Sequence, residues 1–195
     1  ALLMYRQMHF EGVSMDGRTY AIILQACVCL IDQNNTEEKL GNMELLDIVM
    51  SLHADAEKKG FDSVMYVGNN LLRIYGKFGR LREAENVFND LCDRNVVSWS
   101  AIIAGYAENG FGDEALKCFR QMHDEGVCPN TVTYISVLKA CGIVGSLGIG
   151  EKIDAEVRKQ GLLQKDVVLG TALVDMYSKC GAIEKARQVF EQIHV

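Results

Sequence analysis

Apolar residues recur along this chain at helical spacing, in short stripes that glycine and small polar residues keep interrupting. The clearest case is residues 95–130, which read as two helices and a turn. Val97, Ala101, Ile102, Ala104, Gly105 and Ala107 form a small, apolar first helix that Asn109 and Gly110 can end. Asp113 then reads as the N-cap of a second helix. Ala115, Leu116, Phe119 and Met122 make its apolar stripe, and Gly126 is its left-handed stop. Pro129, the single proline, lies beyond that stop, where it breaks no helix. Neither helix can bury its stripe alone, so neighbours of the same kind are required.

Those neighbours are present as internal copies. At an offset of 102 the segment beginning at Met65 falls on the one beginning at Val167. Gly68/Gly170, Leu71/Leu173, Tyr75/Tyr177, Lys77/Lys179, Gly79/Gly181 and Phe88/Phe190 are identical. At an offset of 114, RQMHFEGV from Arg6 matches RQMHDEGV from Arg120, and TYAIILQAC from Thr19 matches TYISVLKAC from Thr133. A helix–turn–helix period in the thirties predicts an all-α solenoid. Residues 1–16 are a second half-repeat, followed by repeats 17–64, 65–95, 96–130, 131–166 and a shortened 167–195. The two offsets differ by an insertion in residues 31–42, whose polar, Asn-rich composition reads as a loop with a helical extension from Glu37. Eleven helices are expected.

Charge and chemistry narrow the function classes. The net charge of −6 argues against indiscriminate phosphate binding. No run of about 18 apolar residues predicts a membrane span. Seven cysteines include a C-x-C at Cys27 and Cys29, but no second pair stands at zinc spacing. Cys27 and Cys141 share a repeat position inside an apolar helix and read as core residues, with free thiols throughout and no metal. His123-Asp124-Glu125 spells H-x-E, half of a zinc deaminase signature. The P-C-x-x-C half is absent, and His9-Phe10-Glu11 repeats the pattern at the same repeat position. No nucleophile triad, Walker loop or dinucleotide fingerprint appears, so neither catalysis nor a cofactor is expected.

VVSWSAIIAGYAENG followed by EALKCFRQM and EGVCPN, then TYISVLKAC, then GTALVDMYSKCGAIEKARQVFEQI, resembles the plant pentatricopeptide-repeat family, PLS subclass, in the order P, L, S, P, L, S. The resemblance covers the chain apart from the insertion. It implies a right-handed superhelical α-solenoid that binds single-stranded RNA by sequence in mitochondria or chloroplasts. In this subclass such binding serves C-to-U RNA editing, with editing-complex proteins engaged through L repeats. No transit peptide is visible and residue 1 falls inside a helix, so a piece of a longer, organelle-targeted precursor is expected. The apolar Leu2, Leu3, Tyr5 and Met8 then lack a covering neighbour, and end-to-end self-association follows as an expectation.

A one-base-per-repeat reader needs two side chains converging on one Watson–Crick edge. By resemblance these are the fifth and last residues of each repeat: Asn69 with Asn95, Ser100 with Asn130, Thr171 alone, and Asp16 from the opening half-repeat. Asparagine can donate to a ring acceptor of A or C, while aspartate accepts from the ring N–H of G or U. The second residues Tyr66, Val97, Val132 and Val168 would flank the base, and Lys77 and Lys179 would face the RNA backbone. Glu108 holds the lysine place in the 96–130 repeat. Ala21 with Val64 and Ile135 with Asp166 supply no polar pair, so the 17–64 and 131–166 repeats are spacers or partner surfaces. On the residues alone, the valines read as first-turn core contacts, Ser100 and Thr171 as residues that favour helix starts, and the lysines as solvated helix ends. A protein-interaction scaffold using the solenoid groove is the alternative function. Polar pairs at those two register points favour RNA.

Overall fold

In a computed structural model the chain is described at residues 5, 7, 10–11, 14–33 and 39–193. Ten helices follow one another among the described residues from 17 onward: α1 (Gly17–Gln33), α2 (Lys39–Lys58), α3 (Met65–Lys77), α4 (Leu81–Asp90), α5 (Val96–Glu108), α6 (Gly112–Asp124), α7 (Thr131–Val144), α8 (Leu147–Lys159), α9 (Val167–Lys179) and α10 (Ile183–Ile193). No strand occurs among the described residues, and no described helix is long and apolar enough to cross a membrane. The expected eleventh helix, before residue 17, lies largely outside the described residues, as do Leu2, Leu3 and Met8. Tyr5 is described. It is buried, with its hydroxyl 3.4 Å from Ser51 Oγ, so this member of the expected open face is covered.

The chain forms two compact halves, residues 1–101 and 102–195. In the first, α1 packs on α2 and α3, and α3 on α4. In the second, α7 packs on α6, α8 and α9, and α9 on α8 and α10. First helices therefore stack on first helices. Burial follows that layering. In α3, Val67, Gly68, Leu71, Leu72, Ile74, Tyr75 and Gly76 are buried around most of the helix. In α4 only Ala84, Val87 and Phe88 are, at the i, i+3, i+4 spacing of one narrow stripe. Each fully buried Leu or Ile contributes about 1.5–3 kcal/mol, so the first helices carry most of the core. A Cβ on Gly68 would stand 2.6 Å from Leu91 Cδ2, and one on Gly170 would stand 2.4 Å from Ile193 Cδ1. This explains why both copies keep glycine at that place.

Two local expectations change. Asp113 does not cap α6. Phe111 holds the cap position, the helix opens at Gly112, and Asp113 lies in the first turn, where its charge still favours the positive helix end. In the insertion, residues 31–33 prolong α1 instead of opening a loop, residues 39–42 open α2 in keeping with the expected helical extension from Glu37, and residues 34–38 lie outside the described residues. Accordingly α1 has 17 residues against 14 in the matching α7, and α2 has 20 against 13 in α8. The stops are as read: Gly110 and Gly126 take φ of 85° and 73°, a region that favours glycine.

Candidate nucleic-acid interface

The last residue of a repeat is the N-cap of the next first helix; Val64 fills that place before α3 without a side-chain bond, and the polar ones take their chemistry from it. Asn95 Oδ1 accepts the backbone N–H groups of Val97 (2.9 Å) and Ser98 (3.1 Å). Asn130 Oδ1 accepts both the N–H and the hydroxyl of Thr133, each at 2.9 Å, and Thr133 Oγ1 accepts from the Asn130 N–H, closing a capping box. Asp166 Oδ1 takes the N–H groups of Val168 and Leu169. Asp16 Oδ1 takes the hydroxyl and N–H of Thr19 at 2.7 and 2.8 Å. These bonds, the Thr19 hydroxyl first, hold the Asp16 carboxyl below the usual carboxylate range, so it is an ionised acceptor at neutral pH. With its oxygen committed to the helix, a capping asparagine offers further partners only amide donors. A capping aspartate keeps an acceptor oxygen.

The fifth residues differ. Ser100 Oγ donates to Val96 O at 2.6 Å and Thr171 Oγ1 to Val167 O at 2.9 Å. Both bonds run back four residues inside a helix, so neither residue is a cap. Ser100 is buried whereas Thr171 is exposed. Asn69 is half-buried, and its Oδ1 accepts the Ser98 hydroxyl at 2.8 Å.

The second residues are not core contacts. Tyr66, Val97, Val132 and Val168 are 68%, 46%, 57% and 63% exposed, which removes the first-turn packing explanation. Apolar side chains held in water at one repeat position, each at a helix start, are available for a flat apolar ligand.

Within the first half these places converge. A groove of about 1000 Å³ is lined by Asp16, Arg18, Ile22, Tyr66, Asn69, Arg73, Asn95 and Val97, among others. Five of these were expected from the repeat register. Arg18, Ile22 and Arg73 were not: Arg18 holds the second place of the 17–64 repeat, which reads as a spacer, and Ile22 and Arg73 occupy register places to which the resemblance assigns no role. Asn70 holds the wall in place by donating to Ala21 O (3.2 Å) and Tyr66 O (3.1 Å), tying α3 to α1. Lys77 and Lys179 stand exposed in the last turns of α3 and α9. Lys77 Nζ is 3.9 Å from Asp32 Oδ1, and Lys179 Nζ is 2.7 Å from Asp175 Oδ2. Arg73 also reaches Asp32, at 3.5 Å. Each cation is thus held by a carboxylate that a phosphate could replace.

Ser98 is the member of this site that register reasoning missed. It is fully buried, and its hydroxyl lies 2.8 Å from Asn69 Oδ1 and 3.3 Å from Asn95 Oδ1. A readable signal existed: Asp16-x-x-Thr19, Asn95-x-x-Ser98 and Asn130-x-x-Thr133 share one capping spacing.

The remaining candidates fall outside the site. Cys27 and Cys141 are buried, and burial pushes their thiols up to about 11 and about 12. All seven cysteines are free. His123 is exposed in the last turn of α6, edge-on to Phe119 at 4.8 Å, while His9 lies outside the described residues. No cluster of three His, Cys, Asp or Glu with metal-binding geometry occurs among the described residues.

Comparison with known proteins agrees with this anatomy. Residues 94–142 match the PPR repeat family, and residues 69–96 and 171–195 match the PPR repeat. A pentatricopeptide repeat-containing protein of Arabidopsis thaliana is 34% identical over 195 residues, covering 100% of this chain and 26% of its own length. The chloroplastic protein CRR2 of the same plant is 37% identical, with 98% and 28% covered. The crystal structure of PPR10 from maize superposes with a TM-score of 0.60 at 24% identity, covering 99% of this chain and 26% of that one. PPR10 in complex with an 18-nucleotide psaJ RNA element gives 0.59 at 17%, covering 98% and 32%. The chain belongs to the pentatricopeptide-repeat family, and its fold is a helical solenoid of such repeats. It spans about a quarter of the length of the relatives it matches.

Proposed function

We propose that this chain is a sequence-specific single-stranded RNA-binding region of PLS type, reading one base per P or S repeat within an organellar C-to-U editing factor. The observation that carries the proposal is the groove of the first half, where two asparagines with committed oxygens stand beside exposed Tyr66 and Val97. A base edge needs donors or acceptors of fixed sense, and a base face needs apolar surface. The groove offers both. Relatives that are chloroplastic or mitochondrial support an organellar setting, and the maize neighbour bound to an RNA element supports the ligand class.

With the N-terminus toward the RNA 5′ end, the order of preference is G or U at Asp16, any base at 17–64, and C or U at Asn69/Asn95. It continues with A at Ser100/Asn130, any base at 131–166 and a purine at Thr171. Titration of single-stranded RNAs of this order, and of scrambled order, at one fixed salt concentration tests it. Preference for the ordered RNA by tenfold or more, about 1.4 kcal/mol, supports base reading. Equal binding of the two sets contradicts it. Asn130→Asp keeps the cap and replaces amide donors with an acceptor, so its preference moves from A toward G.

One observation favours protein partners at the 131–166 repeat. A second groove, of about 850 Å³, is lined by Phe119, His123, Tyr134, Ile153 and Glu156 among others, from second helices and the start of α7. Glu156→Arg weakening a partner without changing RNA preference would assign that role to it.

A further inference from the structure

We infer that Ser98 is a positioning residue for base selection at the preceding repeat, a third letter read together with Asn69 and Asn95. This rests on the base-reading function proposed above. Ser98 is the third residue of α5, belongs to the following repeat, and is fully buried, so it cannot touch RNA itself. A buried hydroxyl must donate its proton, and here the acceptor is Asn69 Oδ1 at 2.8 Å.

That single bond chooses between the two orientations of the Asn69 amide, which are nearly equal in shape and opposite in hydrogen-bond sense. With the oxygen turned to Ser98, the NH₂ group is what Asn69 presents to the groove. Asn95 is turned the same way by its cap bonds, with its Oδ1 3.3 Å from the same hydroxyl. Asn95 Nδ2 also donates to Met65 Sδ at 2.8 Å, so it keeps one N–H for the groove, and both readers therefore present donors. Hydroxyls at the matching third places, Thr19 and Thr133, bond their own capping residues, Asp16 and Asn130. Val67 and Leu169 fill that place elsewhere and leave it without a donor.

The test uses the 195-residue chain and two single-stranded RNAs that differ only at the nucleotide facing the 65–95 repeat, C against A. Wild type should prefer C about tenfold, because C offers two donors two acceptors, its ring nitrogen and the O2 carbonyl beside it, where A offers a ring nitrogen beside a C–H. Ser98→Ala should bring the ratio to within about twofold of unity while affinity for the A-containing RNA stays within about threefold, since Asn69 is then free to turn. Ser98→Thr restores the hydroxyl and should restore the preference. If Ser98→Ala does not fold, Ser98→Cys, which weakens the donor at similar volume, carries the same expectation. A wild type with no preference overturns the base-reading function and this inference together. A Ser98→Ala chain that keeps the preference overturns the inference alone. So does loss of preference that Ser98→Thr fails to restore, which would mean a packing role.

Discussion

The two halves of the molecule build the same junction with different chemistry. Each has a tyrosine on the first helix of a short repeat reaching back to the second helix of the repeat before it, seven residues ahead of that helix's glycine stop. In the first half Tyr75 OH lies 2.9 Å from His53 Nδ1, and the residue four on from His53 is Glu57. In the second half Tyr177 OH donates to buried Asp154 Oδ2 at 2.8 Å, while Arg158, four residues on, donates to Asp154 Oδ1 at 2.6 Å. The apolar spacing fixes where the tyrosine ring goes. The partner of its hydroxyl is free to vary, provided that the bond is made and that a charged partner, as Asp154 is, has its charge met one turn away.

The comparison can be broken by removing each partner. Asp154→Ala leaves the Tyr177 hydroxyl unpaired in the core and Arg158 without its carboxylate, at a cost of about 2–3 kcal/mol in urea unfolding. His53→Ala loses a neutral partner and should cost about 1–2 kcal/mol. A reversed ranking would mean that ring packing, not the hydroxyl's bond, holds the junctions.

It can be sharpened by transplanting one junction onto the other. His53→Asp alone sets two carboxylates one helical turn apart, at positions 53 and 57, and should destabilise the first half. Adding Glu57→Arg recreates the second half's arrangement and should recover most of the loss. No recovery would show that the two junctions are not interchangeable.

A smaller effect is the pH dependence. Burial lowers the His53 pKa, with Glu57, Asp62 and Asp90 opposing it in part. The unfolded chain therefore binds the proton more readily, and stability falls as pH drops below the ordinary histidine value of about 6.5. The loss levels off once pH is below the folded value. His53→Gln should flatten this step in thermal melts between pH 7.5 and 5. A step of equal size in the variant would assign it to another group. The smallest effect belongs to the surface pairs: Lys77→Ala or Lys179→Ala should change stability by about 0–1 kcal/mol. Each should lower the salt slope of RNA binding by about 0.7 if its lysine meets a phosphate.

What the sequence made legible was what local physics dictates. Gly110 and Gly126 mark helix stops because few other residues adopt their backbone, and Ala115, Leu116, Phe119 and Met122 mark a stripe because 3.6-residue periodicity is local. Asp113 was placed at the N-cap, two residues past Phe111, because a carboxylate suits both the N-cap and the first turn, through the same dipole. Residues 31–33 were read as loop because the exposed face of a helix is as polar as a loop. At the site, Asn69, Asn95, Tyr66 and Val97 came from family resemblance; only the folded chain brings them to one groove. Ser98 was hidden because its importance depends on α3 lying against the start of α5, a contact between residues 29 positions apart.

The central claim is that a capping residue spends one atom on the helix and reads RNA with the other. Asn95→Asp tests it most directly. The carboxylate keeps the cap at the start of α5, so fold and stability should hold. The remaining atom changes from donor to acceptor and gives up its bond to Met65 Sδ, 2.8 Å away. Binding is measured for two single-stranded RNAs that differ only by C or U opposite the 65–95 repeat, at fixed salt. The U-to-C preference ratio should rise about tenfold in the variant, because the ring nitrogen of U donates where that of C accepts. An unchanged ratio in a folded variant that still binds RNA would contradict the account, leaving Asn95 as a helix cap and nothing more.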